Sequence, residues 1–271
     1  MCPQEQTQRP DTSGRNGNGA SPFSITLLIS TYNWVEALKR VLEGVARQTV
    51  MPDEIVIADD GSREDTADFI RRYAETSPVP VRHVWHEDKG FRRSMILNKA
   101  VATATGDYII EMDGDVVPER HFVEDHRNIA EEGYFVYGGR IILTEDGKVA
   151  SSHYFNCIRS RMLRNAVARF TKSYRISRIK GCNLAFWRKD FIRVNGYNED
   201  IEGWGSEDHE FTARLYFSGI RPKRLKFGGL IRHIYHPMAA KDHAKANEAL
   251  FAEAIASHNT RAANGVDKYL K

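Results

Sequence analysis

Two carboxylates separated by a single glycine, Asp113 and Asp115, come directly after the apolar run Tyr108–Met112. Acidic side chains at positions i and i+2 just past a strand can share a hard divalent cation, directly or through water. The glycine between them, Gly114, leaves room for a diphosphate to approach the backbone. Such triplets are also common in turns, so the position at the end of a predicted strand is what favours a metal site.

A second acidic pair, Asp59 and Asp60, follows the β-rich run Glu54–Ala58 and precedes Gly61 and Ser62. Asp, Gly and Ser together are typical of a turn, for backbone reasons alone. A carboxylate in this position could instead accept hydrogen bonds from the ring N–H of a base or from ribose hydroxyls. Considered alone, the segment does not decide between a turn and a nucleotide contact.

The segment GWGSEDHE, residues 203–210, combines an indole with carboxylates and glycines. Trp204 offers an apolar ring face to a sugar, and Glu207 and Asp208 offer acceptors for hydroxyl groups. One of these carboxylates could remove the proton from an attacking hydroxyl, which is general base catalysis. Alternatively, they form the acidic first turn of a helix and are stabilised by the helix dipole.

Two histidines, His233 and His236, lie in the predicted strand Leu230–Tyr235 and just beyond it. Because side chains alternate along a regular strand, residues at i and i+3 should point to opposite sides. We therefore expect only one of the two histidines to face a cleft that binds metal. An isolated histidine is more often structural than a ligand, so neither is assigned from this segment alone.

Short apolar runs alternate with segments of helical spacing through the first half of the chain. The predicted strands are Ser24–Ser30, Glu54–Ala58, Val81–Trp85 and Tyr108–Met112, and the predicted helices are Trp34–Gln48, Thr66–Tyr73 and Ser94–Ala104. This alternation predicts an α/β fold with a parallel sheet and helices on both faces. Ligands bind beyond the carboxyl ends of the strands in such sheets, which is where both acidic pairs lie.

The second half of the chain is less regular. It contains predicted strands at Tyr134–Ile142, Asn183–Trp187 and Leu230–Tyr235, and predicted helices at Cys157–Phe170, Asp208–Ser218 and Lys241–Ser257. Residues 1–22 are rich in Gly, Asn, Gln, Ser and Pro and are expected to form a disordered tail.

Composition narrows the classes of protein. The 271 residues are 41% hydrophobic and 28% charged, as in an ordinary globular protein. Three widely separated cysteines suggest neither a disulfide framework nor a zinc site. The net charge of +3 is too small to indicate a nucleic-acid partner. No run reaches the roughly 18 apolar residues of a membrane span, and the N-terminus lacks the core of a secretory signal, so we expect a cytoplasmic protein.

Charge is concentrated in one segment, residues 159–180, where eight basic residues occur with no acidic residue between them. A solvated helix face would account for this pattern. The segment could also contact anionic lipid or an anionic acceptor carrier, which would place the protein peripherally at the inner membrane face.

Taken in order, the motifs STYNW, IVIADDGS, YIIEMDGD, GWGSEDHE and IRHIYHP resemble those of a family 2 glycosyltransferase of the GT-A fold. The second half resembles the galactosyltransferase-like C-terminal domain of bacterial family 2 enzymes and of β-1,4-galactosyltransferases. The resemblance implies a Rossmann-like, mostly parallel sheet flanked by helices, with a smaller mixed C-terminal acceptor-side region. It divides the chain into a nucleotide-sugar-binding subdomain at 23–130, an acceptor-binding and catalytic subdomain at 131–240 and a helical tail at 241–271.

The resemblance also implies roles for single residues on the donor side. Those expected to contact the nucleotide or its sugar are Thr31, Tyr32, Asp60 with Asp59, and Asp113. Asp115 would bind Mn²⁺ or Mg²⁺ together with His233, or alternatively with His236. Many relatives carry Arg-Asn where this chain has Leu97-Asn98, so Arg92 or Arg93 could supply the donor-side positive charge instead.

On the acceptor side, the resemblance implies that Asp208 is the catalytic base, that Glu207 holds substrate hydroxyls and that Trp204 is the acceptor platform. The implied reaction is an inverting, metal-dependent transfer of a hexose or N-acetylhexosamine from a UDP-sugar to a glycan or lipid-linked glycan, in surface polysaccharide synthesis. Two alternatives stay open. A sugar-1-phosphate nucleotidyltransferase would need a Gly-rich basic loop where STYNW stands, and a non-catalytic glycan-binding protein would not need to retain the carboxylates.

Overall fold

The computed structural model describes residues 23–151, 179–236 and 243–270. The predicted tail at 1–22, the predicted helix Cys157–Phe170 and nearly all of the basic segment 159–180 lie outside these ranges. The first two residues of the predicted C-terminal helix, which starts at Lys241, also lie outside them.

The strands and helices predicted for the first half are all present. The strands are β1 (Ile25–Thr31), β2 (Glu54–Asp59), β3 (Val81–Trp85) and β4 (Tyr108–Asp113), and the helices are α1 (Val35–Ala46), α2 (Glu64–Thr76) and α3 (Arg93–Thr103). Nearly every side chain of β1, β2 and β4 is buried, which is why these strands are continuous apolar runs without alternation. Strand β3 forms the edge and is partly exposed.

A seven-stranded sheet organises the molecule, with the order β10-β6-β9-β4-β1-β2-β3. Its remaining strands are β6 (Tyr134–Tyr137), β9 (Leu184–Trp187) and β10 (Arg221–Arg224). Only β9 runs antiparallel to its neighbours within this sheet. Separate hydrophobic clusters cover the two faces, one including α1 and α2 residues and the other including α3 residues. The predicted α/β class with a mostly parallel, helix-flanked sheet is confirmed.

A second, four-stranded sheet has the order β5-β11-β7-β8 and contains β5 (Val116–Pro118), β7 (Arg140–Leu143), β8 (Val149–Ser151) and β11 (Ile231–His233). The prediction of one strand over Tyr134–Ile142 is therefore wrong, because the chain passes from one sheet to the other at Gly138 and Gly139. A Cβ on Gly138 would lie only 2.2 Å from the amide nitrogen of Asn183, so the crossover passes too close to that side chain for any other residue.

The other helices are α4 (Phe122–Ile129), α5 (Arg188–Arg193), α6 (Glu207–Phe217) and α7 (Ala244–Ala256). The sequence predicted α6 and the described part of α7. It did not indicate α4 or α5, nor the short strands β5, β8 and β10, which have too few residues for a periodic pattern.

Gly114 has a packing role that differs from the expected one. A Cβ at this position would lie 2.7 Å from the carbonyl oxygen of Ser30, to which the Gly114 N–H also donates a hydrogen bond. The glycine therefore lets the end of β4 close against β1. This contact brings the acidic residues on either side of Gly114 next to the carboxyl end of the central strand.

Candidate active site

The carboxyl ends of β1, β2 and β4 meet at one edge of the large sheet, as the strand order requires. Ser30 donates a hydrogen bond to Asp113 Oδ1 at 3.0 Å, and the N–H of Asp60 donates to the carbonyl of Thr31 at 3.0 Å. Three polar segments that are distant in sequence therefore line one edge, in agreement with the general rule for parallel sheets.

Asp115, His233 and His236 form a cluster in which one ligand atom from each residue lies within 4.8 Å of the others. The Nε2 atoms of His233 and His236 lie 3.6 Å and 3.1 Å from Asp115 Oδ2. The expectation that only one histidine would face this site is wrong. Strand β11 ends at His233, so the alternation of a regular strand does not extend to His236.

The cluster has the chemistry of a cation site. Asp115 Oδ1 is buried and accepts no hydrogen bond from the described residues, so it is available to a ligand. Burial, and next the charge of Asp113, raise the pKa of Asp115 to about 6, whereas burial, and next Arg140, lower the pKa of His233 to about 4. At neutral pH this gives a carboxylate and an uncharged imidazole, the forms that bind metal. Two nitrogens and one oxygen suit Mn²⁺ better than Mg²⁺, which prefers oxygen ligands.

Arg93 joins the carboxyl end of β4 to helix α6. Its guanidinium contacts Asp113 at 2.7 Å, Glu111 at 3.0 Å and Glu207 at 3.4 Å, and its side chain is only 11% exposed. Although burial opposes it, Arg93 holds the pKa of Asp113 below its ordinary value. One buried cation therefore bridges three carboxylates from two elements. Nothing in the sequence distinguishes Arg93 from the neighbouring Arg92.

Arg92, the other arginine that could supply positive charge to the donor, contacts a different set of groups. Its N–H donates to Asp60 Oδ2 at 2.9 Å, and its guanidinium donates to the carbonyl of Glu87. Leu97 is fully buried in the hydrophobic core. The Arg92 guanidinium therefore contacts neutral groups close to it in the chain, and its predicted role toward the donor stays a prediction.

Glu207 and Asp208 occupy the first turn of α6, which confirms the helix-terminus interpretation, while their catalytic role stays a prediction. Asp208 Oδ2 accepts the N–H of Gly181 at 3.0 Å. Glu207 Oε2 is buried and accepts no hydrogen bond from the described residues. Burial, and next the charge of Asp208, raise the pKa of Glu207 to about 7. The pair therefore contains one anchored carboxylate and one with an unsatisfied oxygen.

A strained loop precedes this pair. Gly203, Gly205 and Ser206 all have positive φ angles, of 72°, 108° and 72°. Residues with a side chain rarely adopt this region, so the strain falls on Ser206. Trp204, which lies between the two glycines, is 46% exposed. The N–H of Gly203 donates to the carbonyl of Phe91 at 3.0 Å, which ties this loop to the segment preceding α3.

At the carboxyl end of β2, Asp59 stabilises the turn that follows. Its Oδ1 accepts the N–H of Ser62 at 2.8 Å, and His83 donates to its Oδ2 at 2.8 Å. His86 donates to Asp60 Oδ1 at 2.7 Å. Neither histidine was predicted as a site residue. Their common signal is a position on or just after the edge strand β3.

Thr31 and Tyr32 lie at the carboxyl end of β1, next to this turn. Tyr32 is 51% exposed, and its hydroxyl donates to Asp88 at 2.9 Å. Thr31 is buried at the end of β1. Both therefore lie on the strand end where the nucleotide was predicted to bind.

The model of glycosyl transferase family 2 matches residues 26–194, which is more than half of the 271 residues. This chain belongs to glycosyl transferase family 2. A second model, described as the N-terminal domain of galactosyltransferase, matches residues 161–237. These matches confirm the resemblance and the glycosyltransferase class inferred from the five motifs.

Relatives of this family 2 member include enzymes of several kinds. Validoxylamine A glucosyltransferase of Streptomyces hygroscopicus subsp. limoneus is 28% identical over 228 residues, covering 72% of this chain and 48% of that protein. Chondroitin synthase of Escherichia coli is 24% identical over 224 residues, covering 72% of this chain and 32% of that protein. The family 2 chain therefore spans about half or less of the length of these relatives.

Solved structures show the same fold. The structure of S. aureus TarS 1-349 in complex with UDP has a TM-score of 0.65 at 15% identity, covering 91% of this chain and 68% of that one. The mannosyltransferase PcManGT from Pyrobaculum calidifontis, in complex with GDP-Man and Mn²⁺, has a TM-score of 0.63 at 22% identity, covering 87% and 65%. The GT-A fold predicted for this family 2 chain is confirmed. Among the residues that the structure describes, no helix is long and apolar enough to cross a membrane.

Proposed function

We propose that this family 2 member is an inverting, metal-dependent glycosyltransferase that moves a hexose or N-acetylhexosamine from a UDP-sugar to a hydroxyl of a glycan or lipid-linked glycan. One observation carries the proposal: a buried guanidinium, Arg93, connects the carboxylate beside the metal cluster to the Glu207–Asp208 pair. This ion-pair network supports a cation site and a candidate base that act on the same substrate, as a single displacement with a diphosphate leaving group requires.

The proposed donor contacts come from residues at the carboxyl ends of β1, β2 and β4. Asp60, at the edge where Thr31 and Tyr32 lie, would accept hydrogen bonds from the base and ribose, and Asp113 would lie near the ribose. Asp59 supports Asp60 by closing the turn. The structural neighbours carry UDP in one case and GDP-Man in the other. The choice of uracil is therefore part of the proposal, and the base must be tested directly.

The residues of the metal cluster fit a resident divalent cation. Asp115, His233 and His236 would hold Mn²⁺, or less favourably Mg²⁺. The cation would supply positive charge that stabilises the leaving diphosphate. The presence of Mn²⁺ in the structure of the mannosyltransferase supports this assignment for the fold.

Asp208 is the proposed base. It takes the proton from the acceptor hydroxyl as that oxygen forms a bond to the anomeric carbon and the bond from this carbon to the diphosphate oxygen breaks on the opposite face. One displacement inverts the configuration, so a covalent nucleophile on the protein is not needed. The N–H of Gly181 fixes the orientation of Asp208 at 3.0 Å. The unsatisfied oxygen of Glu207 would accept a substrate hydroxyl beside it.

The acceptor is expected to pack on Trp204, whose indole is exposed next to this pair. In this scheme residues 23–130 bind the donor, residues 131–240 bind the acceptor and complete the catalytic site, and residues 241–271 form a helical tail. A role in surface polysaccharide synthesis, a position at the inner membrane face and a contact through residues 159–180 belong to the same proposal. Chondroitin synthase among the relatives supports a glycan product.

Asp208→Asn is expected to lower the turnover number by about 100-fold to 10,000-fold, because general base catalysis contributes about that much. Affinity for the nucleotide should change little, since the proposed role begins at the acceptor proton. The measurement is release of nucleoside diphosphate from a panel of UDP- and GDP-sugars with Mn²⁺ and acceptor extracts. Asp200→Asn, at an exposed loop position, is the matched control. Full turnover by Asp208→Asn would exclude this base, and pyrophosphate formation from a nucleoside triphosphate and a sugar-1-phosphate would favour the nucleotidyltransferase alternative.

Glu207→Gln is expected to change how stability depends on pH. The folded-state pKa of Glu207, about 7, lies above its ordinary value of 4.5. The folded protein therefore binds more protons than the unfolded chain between these values, and the free energy of unfolding falls as pH rises through that window. Glutamine does not ionise and removes this pH-dependent loss. Between pH 5 and pH 8 the free energy of unfolding of the variant should therefore rise by about 1–3 kcal/mol relative to that of the wild type. Urea unfolding across this range checks it, with the exposed Glu248→Gln as control; parallel curves for Glu207→Gln and the wild type would contradict it.

A further inference from the structure

Three arginines near the cleft differ in what their guanidinium groups already contact. Arg93 is occupied by three carboxylates, and Arg92 donates to the carbonyl of Glu87. Among the residues that the structure describes, Arg140 has no carboxylate within ion-pair distance. Its only hydrogen-bond contact among them is a weak one to the buried thiol of Cys182, with Nη1 4.0 Å from Sγ.

Arg140 lies beside the metal cluster. It is the first residue of β7, which pairs in parallel with β11 so that Arg140 is opposite Ile231 and Ile142 is opposite His233. Because side chains alternate along both strands, Arg140 and His233 project from the same face of the small sheet. The positive charge of Arg140 adds to the effect of burial in lowering the pKa of His233, as expected for neighbouring groups.

This placement favours an additional anion. The half-buried guanidinium loses hydration, and the described residues offer it no carboxylate at ion-pair distance; only the charge of Asp115, whose pKa Arg140 lowers, attracts it from farther away. The guanidinium also repels a cation bound by the three residues next to it. An anionic ligand between the cation and Arg140 removes both problems, and a diphosphate has enough oxygens to bind both at once. The planar guanidinium suits phosphate oxygens because it can donate two parallel hydrogen bonds.

We propose that Arg140 binds the diphosphate of the nucleoside-diphosphate donor, on the side of the metal cluster that β7 forms. This rests on the proposed function and deepens it, since it names the protein group that recognises the leaving group. Arg140 then supplies the donor-side positive charge that Arg92 and Leu97 do not.

The test is isothermal titration calorimetry of the full chain with UDP, GDP and inorganic pyrophosphate in Mn²⁺ buffer. Arg140→Gln is expected to bind the diphosphates about 10-fold to 100-fold more weakly than the wild type, the loss of one or two charge-assisted hydrogen bonds. Pyrophosphate should show the same loss as the nucleotides, because the base is not involved. Arg232→Gln is the matched control. It removes the same charge from the opposite face of the same sheet, where Arg232 pairs with Glu119.

Titration with Mn²⁺ alone separates recognition of the anion from support of the metal site. Arg140→Gln should bind Mn²⁺ at least as tightly as the wild type, because a repelling charge is removed. Weaker Mn²⁺ binding, or unchanged diphosphate binding with only the acceptor KM raised, would overturn the proposal.

This design tests the identity of the nucleobase and the role of the Arg140 guanidinium separately. Wild-type protein that binds GDP and not UDP would contradict the proposed donor, while a loss of GDP binding in Arg140→Gln would still support the role of Arg140. Wild-type protein that binds no diphosphate would overturn both.

Discussion

Asp115→Ala is expected to reduce Mn²⁺ affinity by at least about 100-fold and turnover by at least about 1,000-fold. The substitution removes the one carboxylate of the metal cluster, including a buried oxygen that accepts no hydrogen bond from the described residues. The metal-free protein should not lose stability. Burial and Asp113 already disfavour the ionised form of Asp115, so deletion of that charge relieves a cost at alkaline pH. Electron paramagnetic resonance of Mn²⁺, together with thermal unfolding of the metal-free variant, checks both statements.

The two histidines supply the contrast in this experiment. His233→Ala and His236→Ala should each weaken Mn²⁺ binding, because both Nε2 atoms lie within 3.6 Å of Asp115 Oδ2. His258→Ala, at an exposed site after α7, should leave it unchanged. Tighter binding of Mn²⁺ than of Mg²⁺ is expected from the two imidazoles. Normal Mn²⁺ affinity after loss of either histidine would show that the cluster does not bind metal as a unit.

Arg93→Met is expected to destabilise the protein by about 3–5 kcal/mol, because it leaves Glu111 buried beside uncompensated carboxylates. Glu111 is fully buried, and burial already raises its pKa to about 7 despite the contact with Arg93. Without the guanidinium the folded-state pKa values of the three carboxylates rise further, so the loss of stability should be larger at pH 8 than at pH 5. Chemical denaturation at the two pH values measures this difference.

A second substitution distinguishes charge from packing. Glu111→Gln in the Arg93→Met background should recover part of the lost stability, since one of the buried charges is removed. Arg92→Met is the matched control from the adjacent position, and it should cost less because that guanidinium donates only to neutral groups. Equal losses from Arg92→Met and Arg93→Met, or a double variant less stable than Arg93→Met alone, would contradict the role assigned to Arg93.

Much of the donor side could be predicted from the sequence because it depends on local patterns. Continuous apolar runs such as Ile25–Thr31 and Tyr108–Asp113 predicted buried strands, and the polar residues that follow them had to meet at one edge of a parallel sheet. The order of five motifs was enough to recognise the family. The same patterns did not decide between a structural turn and a ligand contact. For Asp59 the structure shows the turn.

Contacts between segments distant in sequence decided the rest. The alternation rule predicted one histidine in the cleft, whereas the end of β11 at His233 brings in both. Arg92 and Arg93 are adjacent and identical in type, and only the folded arrangement places Arg93, at the start of α3, beside carboxylates of β4 and α6.

The sequence by itself determined the fold class, the family and the residue types available for chemistry, because strand burial and motif order are encoded locally. The tertiary structure alone decided which of those side chains share the cleft. The crossover at Gly138 builds the second sheet that positions Arg140 and His233, and this depends on close contact with Asn183, a residue about 45 positions away. Such non-local contacts leave no periodic signal in the chain, so the presence of both histidines beside Asp115 and the Arg93 network could be seen only in the folded protein.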